Sequence, residues 1–246
     1  AGHSTGALYH RTLLNYMAHP LVARGLFLEH GCEKTHNDYM RAQLIEAGGD
    51  PTHYGWASVQ LDGGIERVIE KIEAWFGEAT ANLSAPEERN AAVGALRLGV
   101  LAAGPVPQPV ATALARLTRT IAGAGGTVVV PRPATLLQSA EFLHGTLGAL
   151  TPHATLAYGG AFTQNGLHIM EAPATNWVEQ LTGLGATGVE LLLAIPGELP
   201  AQGHPMLPML QVVGGSRTRS ATGFDVELAG DPTAWAEQLL QRVTDV

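Results

Sequence analysis

Short apolar runs alternate with amphipathic stretches along most of the chain, and turns containing glycine or proline separate them. Runs of β-branched and aliphatic residues are typical of strands, and apolar residues three or four apart are typical of helices. The alternation predicts an α/β fold with a mostly parallel sheet and helices on both faces. The predicted strands are 25–28, 57–61, 96–101, 127–130, 167–170, 189–194 and 209–213, and the predicted helices are 8–17, 38–47, 64–76, 110–122, 134–147, 176–184 and 233–243.

The predicted helix 64–76 has the clearest amphipathic pattern. Its apolar residues recur at helical spacing and charged residues fill the opposite side, so the apolar face is expected to pack on the sheet. These apolar residues are Ile65, Val68, Ile69, Ile72 and Phe76. The polar segment that follows, 81–88, is predicted to be a connection. We expect one α/β domain over 1–246, with a subdomain hinge at 80–90.

Composition and charge exclude several classes of partner. Hydrophobic residues make up 46% of the chain and charged residues 15%, which favours a compact globular protein. The net charge is -8 and the lysines and arginines are scattered, so nucleic acid and anionic membrane are not expected partners. No apolar run approaches the roughly 20 residues of a membrane helix.

The single cysteine cannot form an internal disulfide. This is compatible with the reducing cytoplasm, where we expect the protein to be located. A homo-oligomer is also expected, because soluble proteins commonly pair across a two-fold axis.

Polar chemistry is concentrated in the segment GLFLEHGCEKTHND, residues 25–38. The apolar strand 25–28 ends there, Gly31 allows a tight turn, and Asn37 or Asp38 can cap the next helix. The loop between them holds Cys32, Glu33, Lys34, Thr35 and His36. Loops at the carboxyl ends of parallel strands converge on ligands, and helix amino termini favour anions. This loop is therefore the first candidate site.

Three motifs resemble the altronate and galactarate dehydratase family. The sequence GCEK at 31–34 resembles the family's GCE loop. Residues 166–197 resemble a family segment in which a strand, an Asp-Thr-Pro-like turn, a helix and a glycine-containing connection follow one another. Residues 209–213, then GGSR at 214–217 and a helix after Asp231, form a third match. The resemblance implies a divergent sugar-acid hydro-lyase domain of the carboxyl-terminal type, with a Rossmann-like sheet of unusual crossover connectivity.

The implied activity is that of a carbon-oxygen lyase of carbohydrate metabolism acting on an aldonate or aldarate. In that chemistry, a base removes the proton next to a carboxylate while water leaves from the neighbouring carbon. A divalent metal, iron(II) in the family, stabilises the developing charge or polarises the leaving hydroxyl. The sugar acid is the expected small-molecule partner and iron(II) the expected cofactor.

Two segments depart from the family pattern. LAAGPVPQPV, residues 101–110, stands where the family has a Cys-Gly-Gly-Ser-Asp turn. AIPGELPAQG, residues 194–203, stands where the family has a Thr-Thr-Gly-Arg-Gly turn, whose arginine is a natural carboxylate clamp. These replacements support an alternative hypothesis, an inactive relative that acts as a sugar-acid binding or assembly module. A third hypothesis applies if Ala1 is not a native start: the chain is then a catalytic domain that needs an upstream domain.

The resemblance also suggests a role for each candidate residue. The catalytic candidates are Glu33, His36 and Cys32, the substrate-binding candidates are Lys34, Thr35, Asn176 and Arg217, and the metal candidates are His3, Cys32 and His36. Glu33 is expected to be a base or to orient a histidine. A structural alternative stays open for several of them: Cys32 as an apolar packing residue, Glu33 as an exposed turn carboxylate, Asn176 as a helix cap, and Arg217 in a surface ion pair.

Overall fold

The computed structural model describes residues 5–85, 90–214 and 223–246. The chain divides into two compact units, 1–89 and 90–246, which we call unit 1 and unit 2. The boundary between the units falls at the end of the predicted connection 80–90. The single domain and the hinge stay predictions.

Unit 1 is built around two parallel strands. Its elements are α1 (Thr5–Met17), β1 (Leu26–Glu29), α2 (Asn37–Glu46), a short 3-10 helix (Pro51–His53), β2 (Gly55–Ser58) and α3 (Ile65–Thr80). Strands β1 and β2 form a sheet of their own, with Leu26 opposite Gly55. Leu14, Met40 and Leu44 of the two first helices pack on Phe27, and Trp56 stacks on the Phe27 ring with centroids 4.6 Å apart.

Helix α3 forms as predicted, but its apolar face is mostly in contact with solvent. Val68 is buried, whereas Ile65 is 61% exposed and Ile69 is 49% exposed. The expectation that this face packs on the sheet is therefore wrong for most of its length. A sheet of two four-residue strands offers too little surface to cover a helix of 16 residues.

Unit 2 contains a six-stranded parallel sheet. Its elements are β3 (Arg97–Ala102), α4 (Gln108–Gly123), β4 (Thr127–Arg132), α5 (Ala140–Leu147), β5 (Gly166–Glu171), α6 (Trp177–Gly185), β6 (Leu191–Ile195), β7 (Met209–Gly214), β8 (Val226–Leu228) and α7 (Trp235–Thr244). The strand order is β5-β4-β3-β6-β7-β8, and the described pairs are all parallel. This is the standard order of a doubly wound, Rossmann-like sheet, rather than the unusual connectivity that the resemblance implies.

Each face of the unit 2 sheet carries a buried core. Helices α4, α5 and α7 pack on one face, where Leu98 and Val100 of β3 meet Leu117 and Phe142. Helix α6 packs on the other face, where Leu101 meets Leu181. The predicted α/β fold with helices on both faces of a parallel sheet is confirmed.

Several predicted elements differ in detail from the structure. The seven predicted strands do not share one sheet, because β1 and β2 pair only with each other among the described strands. The predicted strand 57–61 lies earlier, at Gly55–Ser58. The predicted helix 134–147 is divided into a 3-10 helix (Thr135–Gln138) and α5, because the Ser139 side chain caps a new helix start. Strand β8 was not predicted. None of the described helices is both long and apolar enough to cross a lipid bilayer.

Candidate functional site

The turn that opens the loop between β1 and α2 depends on the backbone conformation of Gly31. This residue has φ +119°, a conformation that side chains with a Cβ rarely adopt. A Cβ built at Gly31 would lie 2.7 Å from Oε1 of Gln60, so the turn also needs the missing side chain. The glycine therefore lets the chain reverse tightly at the carboxyl end of β1 and presents the residues that follow.

Glu33 holds this turn together. Its carboxylate accepts hydrogen bonds from the His30 backbone N–H at 2.7 Å and from the Gly31 N–H at 2.8 Å. These amide bonds, from Gly31 first and then His30, lower the pKa of Glu33 to about 2. The side chain therefore stays ionised and engaged with the loop's own backbone at neutral pH.

Cys32 and His30 lie side by side on the exposed surface of the loop. The Cys32 Sγ is 3.3 Å from Nδ1 of His30, and the cysteine is exposed. A thiol and an imidazole in hydrogen-bond contact form the arrangement from which nucleophiles and soft metal sites are built. The packing interpretation of Cys32 does not fit an exposed side chain.

The far end of the loop is fixed at the start of α2. Nδ1 of His36 accepts a hydrogen bond from the Tyr39 N–H at 3.3 Å, so His36 is the amino-terminal cap. The buried carboxylate of Glu29 accepts from the Asn37 N–H, and the Asn37 side-chain amide donates to the Ala57 carbonyl at 2.9 Å. Both strands therefore position the loop.

The loop after β2 adds a second polar group at the same end of the two-stranded sheet. Asp62 accepts from the Ser58 N–H at 2.8 Å and pairs with the Lys71 ammonium at 2.7 Å. The hydrogen bond from Lys71, followed by that from Ser58, lowers the pKa of Asp62. The two loops are joined, because the Gln60 N–H donates to the His30 carbonyl at 3.1 Å.

The predicted site residues are only partly brought together. Glu33 and Cys32 share the turn with Lys34, which is exposed, and Thr35, which is half-buried. The imidazole in contact with Cys32 belongs to His30, whereas His36 caps the helix. Within the described ranges, no group of three or more His, Cys, Asp or Glu residues is placed to hold a metal. His3 and Arg217 lie outside the described residues.

Asn176 lies in unit 2 and acts as a helix cap. Its side-chain oxygen accepts from the Glu179 N–H at 3.1 Å, which satisfies the first turn of α6. The buried Gln180 on the same helix donates to the carbonyls of Pro133 and Ala174. Capping therefore accounts for the position of Asn176 without a ligand.

Unit 2 contains a cavity of about 190 Å³ at the point where the strand order reverses. It lies at the carboxyl ends of β3 and β6, where doubly wound sheets bind ligands. Its walls are mainly apolar and include Val110, Ile195, Val212 and Val213. No side chain caps the adjacent start of α4. Sequence reasoning did not predict this cavity, because its position depends on the strand order.

Two further residues of the unit 1 loop were also missed. His30 is not among the predicted site residues, although the sequence His-Gly-Cys places an imidazole and a thiol on either side of a turn glycine. Glu29 was left out of the predicted strand, although the alternation Leu-Phe-Leu-Glu places it on the buried face of Phe27. The spacing of these residues was the available signal.

Comparison of the chain with protein-family models finds no match, and comparison with curated proteins finds none either. The loop geometry and the motif resemblance are therefore the grounds on which a function can be proposed.

Proposed function

We propose that the chain is a sugar-acid dehydratase-like carbon-oxygen lyase that acts on an aldonate or aldarate. The observation that supports this proposal is the contact between His30 and Cys32 on a turn clamped by Glu33. Histidine is the commonest general base in enzymes, and this imidazole is presented on an exposed loop at a strand end. A reducing cytoplasm is the proposed location.

The proposed reaction begins with His30. Its imidazole takes the proton from the carbon next to the substrate carboxylate, and the electron pair of that C–H bond forms a C=C bond. The C–O bond on the neighbouring carbon breaks, and the hydroxyl leaves as water with the proton that His30 returns. The enol product tautomerises to a 2-keto-3-deoxy acid. Lys34 is the proposed partner of the substrate carboxylate.

Glu33 has an orienting role in this proposal. A carboxylate with a pKa of about 2 is a poor proton acceptor from carbon at neutral pH. Its two amide hydrogen bonds instead fix the backbone that carries His30 and Cys32. Glu33 therefore positions the base and does not act as one.

Iron(II) remains the proposed cofactor. Sulfur and imidazole donors suit iron or zinc. Because His30 serves as the base in this proposal, Cys32 is the donor that the turn offers to a metal. The described residues do not place a set of three donors there, and His3 lies outside them, so the proposed reaction has no step that involves the metal.

A 2-keto acid assay on reduced protein with iron(II) tests the proposal. A panel of aldonates and aldarates is supplied, and the 2-keto-3-deoxy product is measured. Wild type is expected to turn over at least one sugar acid, and His30→Gln is expected to lose about 100-fold or more in kcat. His53→Gln, an exposed histidine in the same unit, is the matched control and should keep wild-type activity. A wild type that is inactive on the whole panel overturns the proposal.

A second candidate is a binding or assembly module without turnover. The unit 2 cavity favours the absence of turnover, because Glu198 is the one charged side chain among the described residues that line it. Catalysis on a sugar acid needs several polar groups converging on one cavity, and this cavity does not supply them. Calorimetry that detects sugar-acid binding by a protein inactive in the keto-acid assay would support this candidate, and absence of binding would contradict it.

A further inference from the structure

The segment 153–156 covers the outer edge of β5 in unit 2. The His153 N–H donates to the Leu167 carbonyl at 2.9 Å, and the Leu156 N–H donates to the Ile169 carbonyl at 2.8 Å. The Glu171 N–H then donates to the Leu156 carbonyl at 2.9 Å. The segment runs parallel to β5, with Leu156 bridged to Met170. The segment therefore closes a sheet edge that would otherwise be open for pairing.

Two stacked histidines hold the turn that joins this segment to β5. The rings of His153 and His168 stack with centroids 4.8 Å apart. Nε2 of His153 is 2.8 Å from the Asn165 carbonyl, and Nε2 of His168 is 2.7 Å from the Gln164 carbonyl. Because a carbonyl only accepts, both Nε2 atoms carry the proton and donate. Two consecutive carbonyls of the turn are thus held by two imidazoles.

His168 fits this arrangement only in its neutral form. The residue is 3% exposed, and its Nδ1 atom is buried with no hydrogen-bond partner in the described part of the chain. Protonation would place a second N–H, and a charge, where no acceptor is available. Burial is the main cause that lowers the pKa of His168, and the neighbouring His153 lowers it further, against the opposing effect of the Gln164 carbonyl.

The charged groups around the stack do not compensate for a cation there. Phe162 stacks on His168 at 5.8 Å, and the Arg97 guanidinium lies 5.9 Å from the Phe162 ring centroid. Glu190 is paired with this arginine at 3.0 Å. Strand β4 places the apolar Val129 opposite His168. Arg97 and Glu190 are therefore paired with each other, and Val129 offers no side-chain acceptor to a charged His168.

We propose that His153 and His168 form an acid-sensitive latch, which holds segment 153–165 on the edge of β5 when neutral and loosens it when His168 is protonated. This latch is independent of the proposed lyase chemistry. Because the pKa of His168 is lowered on folding, neutral His168 stabilises the folded segment. This stabilisation is complete above the ordinary histidine pKa of 6.5 and is lost as the pH falls below that value.

Hydrogen exchange on the whole chain tests the latch. After correction for intrinsic rates, the amides of His153, Leu156 and Glu171 are expected to exchange about tenfold faster near pH 5 than near pH 7. Amides of β3 should keep their protection, which separates latch opening from global unfolding. His168→Gln keeps a donor near the Gln164 carbonyl but cannot titrate, and should remove the pH effect. His144→Gln, an exposed histidine on α5, is the matched control and should retain it.

A ring titration by NMR gives a second readout, which in wild type does not depend on the folding of a variant. His168 in wild type is expected to titrate below 6.5, and His153→Gln should raise the pKa of His168 by removing its like-charged neighbour. A His168 that titrates at or above 6.5 overturns the proposal. Equal pH dependence of the His153, Leu156 and Glu171 amides in wild type and in His168→Gln would also overturn the proposal.

Discussion

Unit 1 and unit 2 share the same alternation of strands and helices, but they bury their apolar side chains to different degrees. Unit 2 packs helices on both faces of six strands and forms two cores. The described residues of unit 1 form two strands, one small core, and an apolar face on α3 that stays exposed. The number of paired strands, more than the helix pattern, therefore decides how much apolar surface is removed from water.

The two units also differ in the chemistry at the carboxyl ends of their strands. In unit 1 this end carries Glu29, Cys32, Glu33 and Asp62, each hydrogen-bonded to a neighbouring backbone amide or side chain. In unit 2 the corresponding cavity at β3 and β6 is mainly apolar. The larger unit is the more fully packed, and the smaller one carries the polar side chains of the candidate site.

The largest expected effect is in the unit 2 core. Leu193→Ala removes a fully buried side chain of β6 and should lower the free energy of unfolding by about 2–5 kcal/mol. Ile69→Ala on the exposed face of α3 should change it by less than about 0.5 kcal/mol. Urea unfolding of both variants measures the difference. Equal losses would show that the α3 face is buried in solution.

The next largest effect is in the unit 1 turn. Gly31→Ala should lower the free energy of unfolding by about 1–2 kcal/mol, because positive φ and the Gln60 side chain both oppose a Cβ. Gly64→Ala is the control, since Gly64 has a similar φ of +106° and a Cβ there would lie 3.9 Å from the nearest neighbouring side-chain atom. The excess loss at Gly31, measured by urea unfolding, reports the crowding by Gln60. An equal loss at both glycines would contradict the close approach.

A smaller effect is expected at the cap of α6. Asn176→Ala should lower the free energy of unfolding by about 1 kcal/mol because one hydrogen bond to the first turn is lost. Ser139→Ala removes the equivalent cap of α5 and should cost a similar amount. Sugar-acid binding, measured by calorimetry, should be unchanged in Asn176→Ala. A loss of binding with little loss of stability would instead make Asn176 a substrate contact.

The smallest effect is expected for the ion pair at the edge of unit 1. Lys71→Met removes the partner of Asp62 and should lower the free energy of unfolding by about 0–1 kcal/mol, because both groups are partly solvated. The same change should raise the pKa of Asp62, since Lys71 is the main group that lowers it. An NMR titration of the carboxyl carbon checks this. An unchanged pKa would mean that the pair does not form in solution.

Much of the fold follows from local pattern, and the rest depends on contacts that pattern does not record. The apolar run 189–194 predicts a buried strand, and β6 lies there. Strand β8 has only three residues, too few to show an alternation. The helix pattern over 134–147 hides the break at Ser139, because a cap there depends on how the preceding turn packs. The separation of β1 and β2 into their own sheet is a matter of pairing over long distances in sequence.

The candidate site shows the same division. The turn glycine and the polar loop after β1 were predicted from residues close in sequence, and the structure has this loop in that place. The partner of Cys32 depended on which way each side chain leaves the turn, and the structure places His30 rather than His36 against the sulfur. The cavity at β3 and β6 required the strand order. Local chemistry was therefore easier to predict than the geometry that brings groups together.

The most direct test of the account is exchange of the sugar-acid proton with solvent deuterium, followed by NMR on the reduced protein. This measurement detects proton removal next to the carboxylate even when water loss is slow. The account predicts exchange in wild type, its loss in His30→Gln, and its retention in His53→Gln. Exchange that persists in His30→Gln, or that is missing in wild type for every sugar acid supplied, would contradict the claim that the unit 1 loop carries the base.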